Sequence, residues 1–454
     1  MMHRFMGIQE SARRLGVEEE RYPGDIPVIT GFAQKTTHGG TLETWQALLE
    51  GMSGGQKFNV ENYRTNIAAP FQDPYEGSSK TEQKLWSRPT ALAVSLSREA
   101  AKMSRIIGED GRLLPTINAR RVGLCISSGI GASQQLIDVK DTIHNSVDKK
   151  TDKKKDAKGG SHDVGPFAGL RLFPEQINAQ VAQALGCSGW PINTSEACAT
   201  GAAGIVEAAR LIREGKADIV LAGGVEDVIH EHPDVTMAIF AGLRGALSTR
   251  NEDPKNASRP FDDKRDGFLI SSGGGIVIVE GMKHALQREA YPQAVVLGYE
   301  KSIDGKDPTN LDTEQVARTI VRALKDKETG EYFSLDAIFA HATSTKAGDE
   351  LEAEAFRLAF EEELDNIPIT AIKGALGHTL GAAGAVNAIN AILAMKTGNI
   401  PPIANLKNVD EKMKDLKLVT GKPLEKSLKI VGAFAYGFGG HNAVVIFGEY
   451  KADN

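Results

Sequence analysis

Hydrophobic residues occur along the chain in short runs that end at glycine-rich turns. IPVITGF (26–32) predicts a first buried strand, and TLETWQALLEGMSG (41–54) predicts a helix that ends at glycine. Further buried strands are predicted in RVGLCISSGIG (121–131), ADIVLAGG (217–224), GGGIVIVE (273–280), AVVLGYE (294–300), LDAIFAHAT (335–343) and KIVGAFAYGFGGHNAVVIFGEY (429–450). The last run holds two strands around a glycine turn. Because helical patterns fill most of the gaps, an α/β fold is predicted.

One pattern occurs twice within the chain. CATGAAGIVEAARLIREG begins at Cys198, and HTLGAAGAVNAINAILAMKTG begins at His378; GAAG follows three residues later in both, before an apolar helical stripe. Such a repeat predicts two similar halves in which Cys198 and His378 hold equivalent places at helix starts. Packing about a pseudo-twofold axis would bring the two side chains together. The alternative is that GAAG only permits close helix packing in both places.

A cysteine at the start of a helix is a candidate nucleophile. Unpaired backbone N–H groups and the positive end of the helix dipole favour the thiolate, so the pKa of Cys198 is predicted to be lowered. The same N–H groups can stabilise the oxyanion that forms when a thiolate adds to an acyl carbonyl. The alternative, a small buried hydrophobic residue, is the prediction for Cys125 and Cys187.

Two histidines lie beside turns of small residues. AHATSTKAGDELEAEAF places His341 at the end of a predicted strand, with Asp349 and Glu352 three residues apart on a following helix. IKGALGHTLGAAGA places Lys373 five residues ahead of His378. A lone histidine at a strand end is more often structural than catalytic. Two of them, one in the place equivalent to the cysteine, predict a catalytic site.

Composition restricts the compartment and the partners. A net charge of −6 over 454 residues gives no reason to expect nucleic acid or an anionic membrane as the main partner. Three cysteines without CxxC spacing exclude a disulfide framework and a thiolate zinc site, and no metal is predicted. No stretch has the length and hydropathy of a signal peptide or a membrane span, so a cytoplasmic protein is predicted.

Five segments carry a resemblance to a known family. ACATG, GALSTRNEDPKNASRPFDDKRDGF, HATSTKAGD, KGALGHTLGAAG and YGFGGHNA resemble the β-ketoacyl synthases of the elongating type, and the match runs from about residue 27 to 450. The resemblance implies the thiolase-like fold, in which two pseudo-twofold-related α/β halves form a five-layer αβαβα sandwich. The implied organisation is an N-terminal extension (1–26), an N-terminal half (27–285) and a C-terminal half (286–450). The active site is expected where the halves meet.

The resemblance also implies roles for ten residues. Cys198 would accept the acyl chain, and His341 and His378 would promote decarboxylation of malonyl carrier protein and stabilise the resulting enolate. The other implied roles are Lys373 behind the histidines, Asp349 and Glu352 in a polar support network, Thr343 and Thr345 as ligands of the pantetheine arm, Phe438 as a gating aromatic beside the oxyanion hole, and Ile130 as a border of the acyl pocket. No cofactor is expected, because the substrates travel on the phosphopantetheine arm of acyl carrier protein. A homodimer is expected.

Several points stay open at this level. HNSVDKKTDKKKDAKGGSHD (144–163) predicts a solvated surface loop, and the alternative is a basic arm that attracts an acidic carrier protein. Glu196 would oppose formation of the thiolate if it faced Cys198.

A ketosynthase of a polyketide or specialised lipid pathway is the runner-up function. A non-catalytic chain-length partner subunit is a further alternative, which the cysteine and both histidines oppose. A nucleotide-binding enzyme is disfavoured because SSGIGAS lacks the other residues of a phosphate-binding motif.

Overall fold

The computed structural model describes residues 25–58, 64–71, 78–131, 136–142, 167–230, 233–243, 245–326 and 329–452. The predicted lysine-rich loop (144–163) and all but the last two residues of the predicted extension (1–26) lie outside these ranges. In the part of the chain that is described, no helix is both long enough and apolar enough to cross a membrane.

The structure describes thirteen strands, of which eight lie in the predicted hydrophobic runs and five, each of two residues, do not. They are β1 (Pro27–Lys35), β2 (Gln56–Lys57), β3 (Ile67–Ala68), β4 (Val122–Ser127), β5 (Ile219–Glu226), β6 (Gly273–Gly281), β7 (Ala294–Ile303), β8 (Ala337–Phe339), β9 (Ile369–Thr370), β10 (Asn399–Ile400), β11 (Leu424–Glu425), β12 (Ile430–Gly437) and β13 (His441–Gly448). Strands β1, β4, β5 and β6 are buried on both faces, which explains their continuous apolar sequences.

Helices fill the connections between the strands. They are α1 (Thr41–Leu49), α2 (Lys80–Leu85), α3 (Arg88–Met103), α4 (Ala168–Leu172), α5 (Gln176–Leu185), α6 (Thr200–Arg213), α7 (Pro233–Ala241), α8 (Met282–Gln287), α9 (Thr313–Leu324), α10 (Lys346–Phe360), α11 (Lys373–Leu376) and α12 (Ala383–Thr397). The helix predicted over 41–54 ends at Leu49, because Gly51 adopts a left-handed conformation with φ 63°.

The described strands repeat one topology twice. Nine of them form a mixed sheet in the order β4-β5-β6-β1-β7-β13-β12-β8-β9. In the first half, β4 and β5 are parallel, and β5, β6 and β1 follow as antiparallel neighbours. In the second half, β8 and β12 are parallel, and β12, β13 and β7 follow as antiparallel neighbours. The halves join where β1 pairs with β7, through Val28–Val295 and Ile29–Ala294. The two predicted similar α/β halves are confirmed.

The layers alternate helices and strands. Helices α6 and α12 contact each other and lie between the two halves of the sheet. Helix α3 packs on the outer face of the first half and α9 on that of the second half. Every residue of α12 from Ala383 to Met395 is buried, as its central position requires. The result is the predicted five-layer αβαβα sandwich.

The two GAAG motifs make the central helices cross at close range. A Cβ atom at Gly201 would lie 2.8 Å from the amide nitrogen of Ala385, and one at Gly384 would lie 2.7 Å from that of Ala202. Neither glycine therefore has room for a side chain. The motif serves close helix packing, and this packing brings the starts of both helices together.

Candidate active site

The starts of the two central helices open onto a cavity of about 350 Å³. Seven of the ten predicted site residues line this cavity: Cys198, His341, Thr343, Thr345, Glu352, His378 and Phe438. Lys373 and Asp349 lie behind the cavity wall, within the contacts described below. Ile130 does not line the cavity but packs in the apolar cluster that contains Cys198, Leu380 and Phe438.

Cys198 lies on a strained turn. It is the middle residue of a 3₁₀ turn, Ala197–Ala199, that leads directly into α6, and its side chain is buried. Ala197 has a φ of 47°, a conformation that a residue with a side chain rarely adopts. Gly377, which holds the equivalent place before His378, has a φ of 73°. The chain therefore reverses sharply before each of these two side chains.

The prediction that the pKa of Cys198 is lowered is wrong. Burial raises the pKa of the thiol to about 12, and the carboxylate of Glu226 raises it further, against the opposite effect of the Lys373 ammonium. Burial removes the water that would solvate a thiolate, and this loss outweighs the attraction of nearby positive groups. Cys198 is therefore a thiol at neutral pH, and its proton must leave as the nucleophile attacks.

Two backbone amides lie beside the sulfur. The N–H of Phe438 donates a hydrogen bond to Cys198. A Cβ atom at Gly437 would lie 2.9 Å from the amide nitrogen of Cys198, so the two backbones are in direct contact there. The amides of Cys198 and Phe438 are thus placed to stabilise an oxyanion that forms on a carbonyl attached to the sulfur.

Both histidines are held in the same tautomer. The backbone N–H of Leu380 donates to Nδ1 of His378 at 3.3 Å, and the Lys373 ammonium lies 3.3 Å from Nδ1 of His341. Because an amide and an ammonium only donate, each Nδ1 must accept, and the ring proton resides on Nε2. Burial and the charge of Lys373 hold the pKa of both imidazoles well below 6.5. The site contains two neutral Nε2–H donors.

The two rings meet edge to face. Their centroids lie 5.3 Å apart and their planes make an angle of 83°. Phe268 packs in the same manner against His378, with centroids 5.1 Å apart. These contacts fix the directions of both rings within the cavity.

The family is decided by comparison with known proteins. The model of the β-ketoacyl synthase N-terminal domain matches residues 27–285, and that of the C-terminal domain matches residues 293–407. The chain belongs to the β-ketoacyl synthase family. The synthase is 33% identical to 3-oxoacyl-[acyl-carrier-protein] synthase 2 of Coxiella burnetii (strain RSA 493 / Nine Mile phase I), over 92% of this chain and 97% of that relative.

Other relatives of the synthase come from polyketide pathways. It is 31% identical to the actinorhodin polyketide putative beta-ketoacyl synthase 1 of Streptomyces coelicolor (strain ATCC BAA-471 / A3(2) / M145), over 92% of this chain and 87% of that relative. It also resembles a solved complex of a type II polyketide synthase acyl-carrier protein with its ketosynthase bound to the hexaketide, with a TM-score of 0.80 and 26% identity. The match covers 94% of this chain and 100% of that chain. The predicted family, thiolase-like fold and acyltransferase class are confirmed.

Lys373 and two carboxylates form a buried network behind the histidines. The ammonium donates to the backbone carbonyl of His341. The Glu352 carboxylate accepts from the backbone N–H groups of His341 and Ala342, both at 2.7 Å. Asp349 accepts from the N–H of Ser344 at 3.0 Å. Their predicted place in a support network agrees with these contacts.

Burial shifts the protonation of this network. It lowers the pKa of Lys373 to about 8 and raises the pKa of Asp349 to about 6 and that of Glu352 to about 7. Each shift is limited by the opposite charges of the neighbouring groups, because a buried charge is stable only when it is paired. The network holds the turn that begins at His341, where Ala342 has a φ of 24° and Ser344 a φ of 68°.

Three of the predicted substrate contacts, Thr343, Thr345 and Phe438, line the cavity. Thr343 and Thr345 are half-buried, and their hydroxyl groups lie 3.0 Å apart. Phe438 is half-buried and is followed by Gly439 and Gly440, with φ values of 84° and 78°. Two successive left-handed residues require glycine, and this backbone freedom is compatible with the gating role that the resemblance implies for Phe438.

Glu196 does not face the nucleophile. Its carboxylate forms an ion pair of 2.6 Å with Lys301, which lies 2.9 Å from Glu207 as well. The negative charge of Glu196, two residues before Cys198, is therefore neutralised by Lys301. The expected opposition to the thiolate comes instead from Glu226.

Sequence reasoning missed two buried charged residues near the site. Glu226 ends the apolar run IVLAGGVE of β5, and its carboxylate accepts hydrogen bonds from the backbone of Gly129 and Gly381. Arg265 is completely buried, and its guanidinium donates to the carbonyl oxygens of Thr345 and Lys346, which holds the start of α10. The charged residue at the end of the apolar run IVLAGGVE is the sequence signal that could have identified Glu226. The sequence around Arg265 is charged throughout, so no local pattern distinguishes it.

Proposed function

We propose that this synthase joins an acyl chain held on Cys198 to a two-carbon unit from malonyl carrier protein, as a β-ketoacyl-[acyl carrier protein] synthase of fatty acid elongation. The observation that carries the proposal is that Cys198 and the two Nε2–H donors, His341 and His378, line one cavity. The relatives named 3-oxoacyl-[acyl-carrier-protein] synthase support the fatty acid assignment.

The first half-reaction transfers the acyl group. The sulfur of Cys198 adds to the carbonyl carbon of the acyl carrier thioester, and the oxyanion accepts hydrogen bonds from the amides of Cys198 and Phe438. The bond from that carbon to the pantetheine sulfur then breaks. The departing thiolate takes up the proton that Cys198 loses, so the carrier leaves with a free thiol.

The second half-reaction forms the new carbon–carbon bond. The malonyl thioester loses carbon dioxide, and the electron pair of the broken bond gives an enolate whose oxygen accepts from Nε2–H of His341 and His378. Neutral donors stabilise this oxygen without protonating the carbanion. The carbanion attacks the acyl carbonyl on Cys198, the carbon–sulfur bond breaks, and the Cys198 thiolate regains a proton from water.

The carrier protein and the oligomeric state belong to this proposal. A neighbouring structure holds a ketosynthase together with an acyl-carrier protein, which supports a carrier protein as the partner here. Thr343 and Thr345, which line the cavity, are the proposed contacts of its pantetheine arm. A homodimer without a bound cofactor stays a prediction.

Separate assays of the two half-reactions test the proposal. His341→Ala and His378→Ala should lower malonyl decarboxylation about 100-fold or more, while intact mass still shows an acyl group on Cys198. Cys198→Ala should take up no acyl group. Normal decarboxylation by either histidine variant, or an acyl group on Cys198→Ala, would contradict the assigned roles. A panel of acyl carrier thioesters in the same mass assay reports the preferred chain and separates fatty acyl from polyketide substrates.

A further inference from the structure

Glu226 is a completely buried carboxylate that the proposed reaction does not use. It lies at the end of β5, and among the described residues no Lys, Arg or His side chain forms an ion pair with it. A buried carboxylate without a cation is stable only when several hydrogen-bond donors replace the lost water. Its donors therefore show what the residue organises.

The donors come from both halves of the synthase. The Ser128 hydroxyl donates to one carboxylate oxygen, and the N–H groups of Gly129 and Gly381 donate to the other at 2.9 Å and 3.0 Å. The N–H of Ile130 lies 3.4 Å from both oxygens. One side chain thus ties the segment after β4 to the turn that follows His378.

The Cys198 segment meets the same point. A Cβ atom at Gly129 would lie 2.9 Å from the carbonyl oxygen of Ala197 and 3.2 Å from Cα of Gly381. A Cβ atom at Gly381 would lie 2.3 Å from the amide nitrogen of Gly129 and 2.7 Å from the Glu226 carboxylate. Three backbone segments therefore converge on Glu226 with no room for a side chain between them.

Each of these segments carries a residue of the proposed site. Ala197 precedes Cys198, Gly381 follows the Leu380 amide that fixes the tautomer of His378, and Gly129 precedes Ile130. We infer that Glu226 is a positioning residue, whose carboxylate sets the relative positions of Cys198, His378 and Ile130. The expected effect of Glu226 on the condensation rate rests on the proposed function. The positions of the three segments around its carboxylate do not.

Glu226→Gln tests the inference, because the amide keeps the shape of the side chain but puts an NH₂ donor against N–H donors. Glu280→Gln is the matched control. Glu280 is equally buried, and it lies at the opposite end of the β5–β6 pair, where its partners are Arg288 and His284. Thermal unfolding of both variants shows the general cost of losing a buried carboxylate.

Two measurements give the expected result. The condensation kcat of Glu226→Gln should fall about 10- to 100-fold, because a small displacement of the Cys198 sulfur or of the His378 N–H donor lowers the rate strongly. Alkylation of Cys198 by iodoacetamide at pH 8.5 should become about threefold faster, since the Glu226 charge raises the pKa of the thiol. Glu280→Gln should change neither rate by more than about twofold. The inference requires both changes, and any other combination overturns it.

A second variant keeps the test open if Glu226→Gln does not fold. Ser128→Ala removes one donor and leaves the charge in place. Its condensation kcat should fall by about threefold or more, with the alkylation rate unchanged. An unchanged kcat would overturn the inference. Alkylation of Cys198 needs no carrier substrate. If the parent synthase condenses nothing, the proposed function is refuted, and the alkylation rates still report the effect of Glu226 on Cys198.

Discussion

Glu196 and Lys301 form an ion pair of 2.6 Å between the segment before the nucleophile and strand β7 of the other half. The same ammonium lies 2.9 Å from Glu207 on the helix that follows Cys198. All three side chains are mostly buried, so their mutual charges are screened less than those of an exposed pair. One lysine thus pairs with the segment before the nucleophile and with the helix that follows it.

Lys301→Met should therefore slow the acylation of Cys198 and destabilise the synthase. The substitution leaves Glu196 without its cation and leaves Glu207 with Arg210 alone, at 3.5 Å, which should lower the free energy of unfolding by about 1 to 3 kcal/mol. Urea denaturation measures the stability, and single-turnover acylation measures the rate. The double variant Glu196→Gln with Lys301→Met should recover part of both losses. Strict additivity in this double-mutant cycle would show that the pair does not couple the turn to β7.

The raised pKa of Cys198 predicts a steep dependence of alkylation on pH. Since burial raises this pKa to about 12, the thiolate fraction and the iodoacetamide rate should grow about tenfold for each pH unit from 7 to 9, without a plateau. Peptide mass mapping separates Cys198 from Cys125 and Cys187, which do not line the cavity and should react more slowly at every pH. A plateau of the Cys198 rate below pH 8 would show a lowered pKa instead.

The sequence predicts the fold better than it predicts the electrostatics of the site. The GAAG repeat predicts two similar halves and the convergence of Cys198 and His378, with close helix packing alone as the alternative, whereas the five-layer arrangement is implied only by the family resemblance. The helix-start argument fails for the pKa of Cys198, since it considers the positive helix end but not the loss of water on burial. The residues around Cys198 in the sequence do not show how completely the folded chain removes this thiol from water.

Contacts made through the backbone are also invisible in the sequence. The amide of Leu380 sets the tautomer of His378, and the amides of Gly129 and Gly381 hold Glu226. Any residue except proline supplies such an amide, so only the folded chain shows which one is used. The pairing of Glu196 with Lys301 is hidden for a different reason, because the two side chains come from different halves and are 105 residues apart in the sequence.

The tautomers of the two histidines predict which substitutions retain activity. Glutamine places an N–H donor near the position of Nε2, whereas asparagine places it near the position of Nδ1. His378→Gln should therefore retain malonyl decarboxylation within about tenfold of the parent, and His378→Asn should lose about 100-fold or more. The same order is expected for His341. Equal losses in both variants, at equal thermal stability, would contradict the Nε2–H assignment.

The buried Glu352 predicts an unusual dependence of stability on pH. Burial raises its pKa from 4.5 to about 7, so the folded synthase binds more protons than the unfolded chain between these values. Its contribution to stability is therefore full below pH 4.5 and is lost as the pH rises to 7, by about 1 to 3 kcal/mol. In urea denaturation, Glu352→Gln should reduce this slope and leave the part that comes from Asp349, whose pKa burial raises to about 6. Glu354→Gln changes an exposed residue of the same helix and should keep it; equal slopes in both variants would assign the effect elsewhere.

The crossing of the two central helices predicts a large effect of one methyl group. Gly201→Ala would place its Cβ 2.8 Å from the amide nitrogen of Ala385, so the helices must separate, at a cost of about 1 to 3 kcal/mol in the free energy of unfolding. The separation should also move Cys198 away from His378 and lower the condensation rate. Gly169→Ala is the matched control, because that exposed helical glycine has no atom within 4 Å of a new Cβ. This control should be neutral or stabilising by up to about 1 kcal/mol. Equal stability of the two variants would show that the helices can accommodate a side chain at Gly201, and that the GAAG motif does not set their distance.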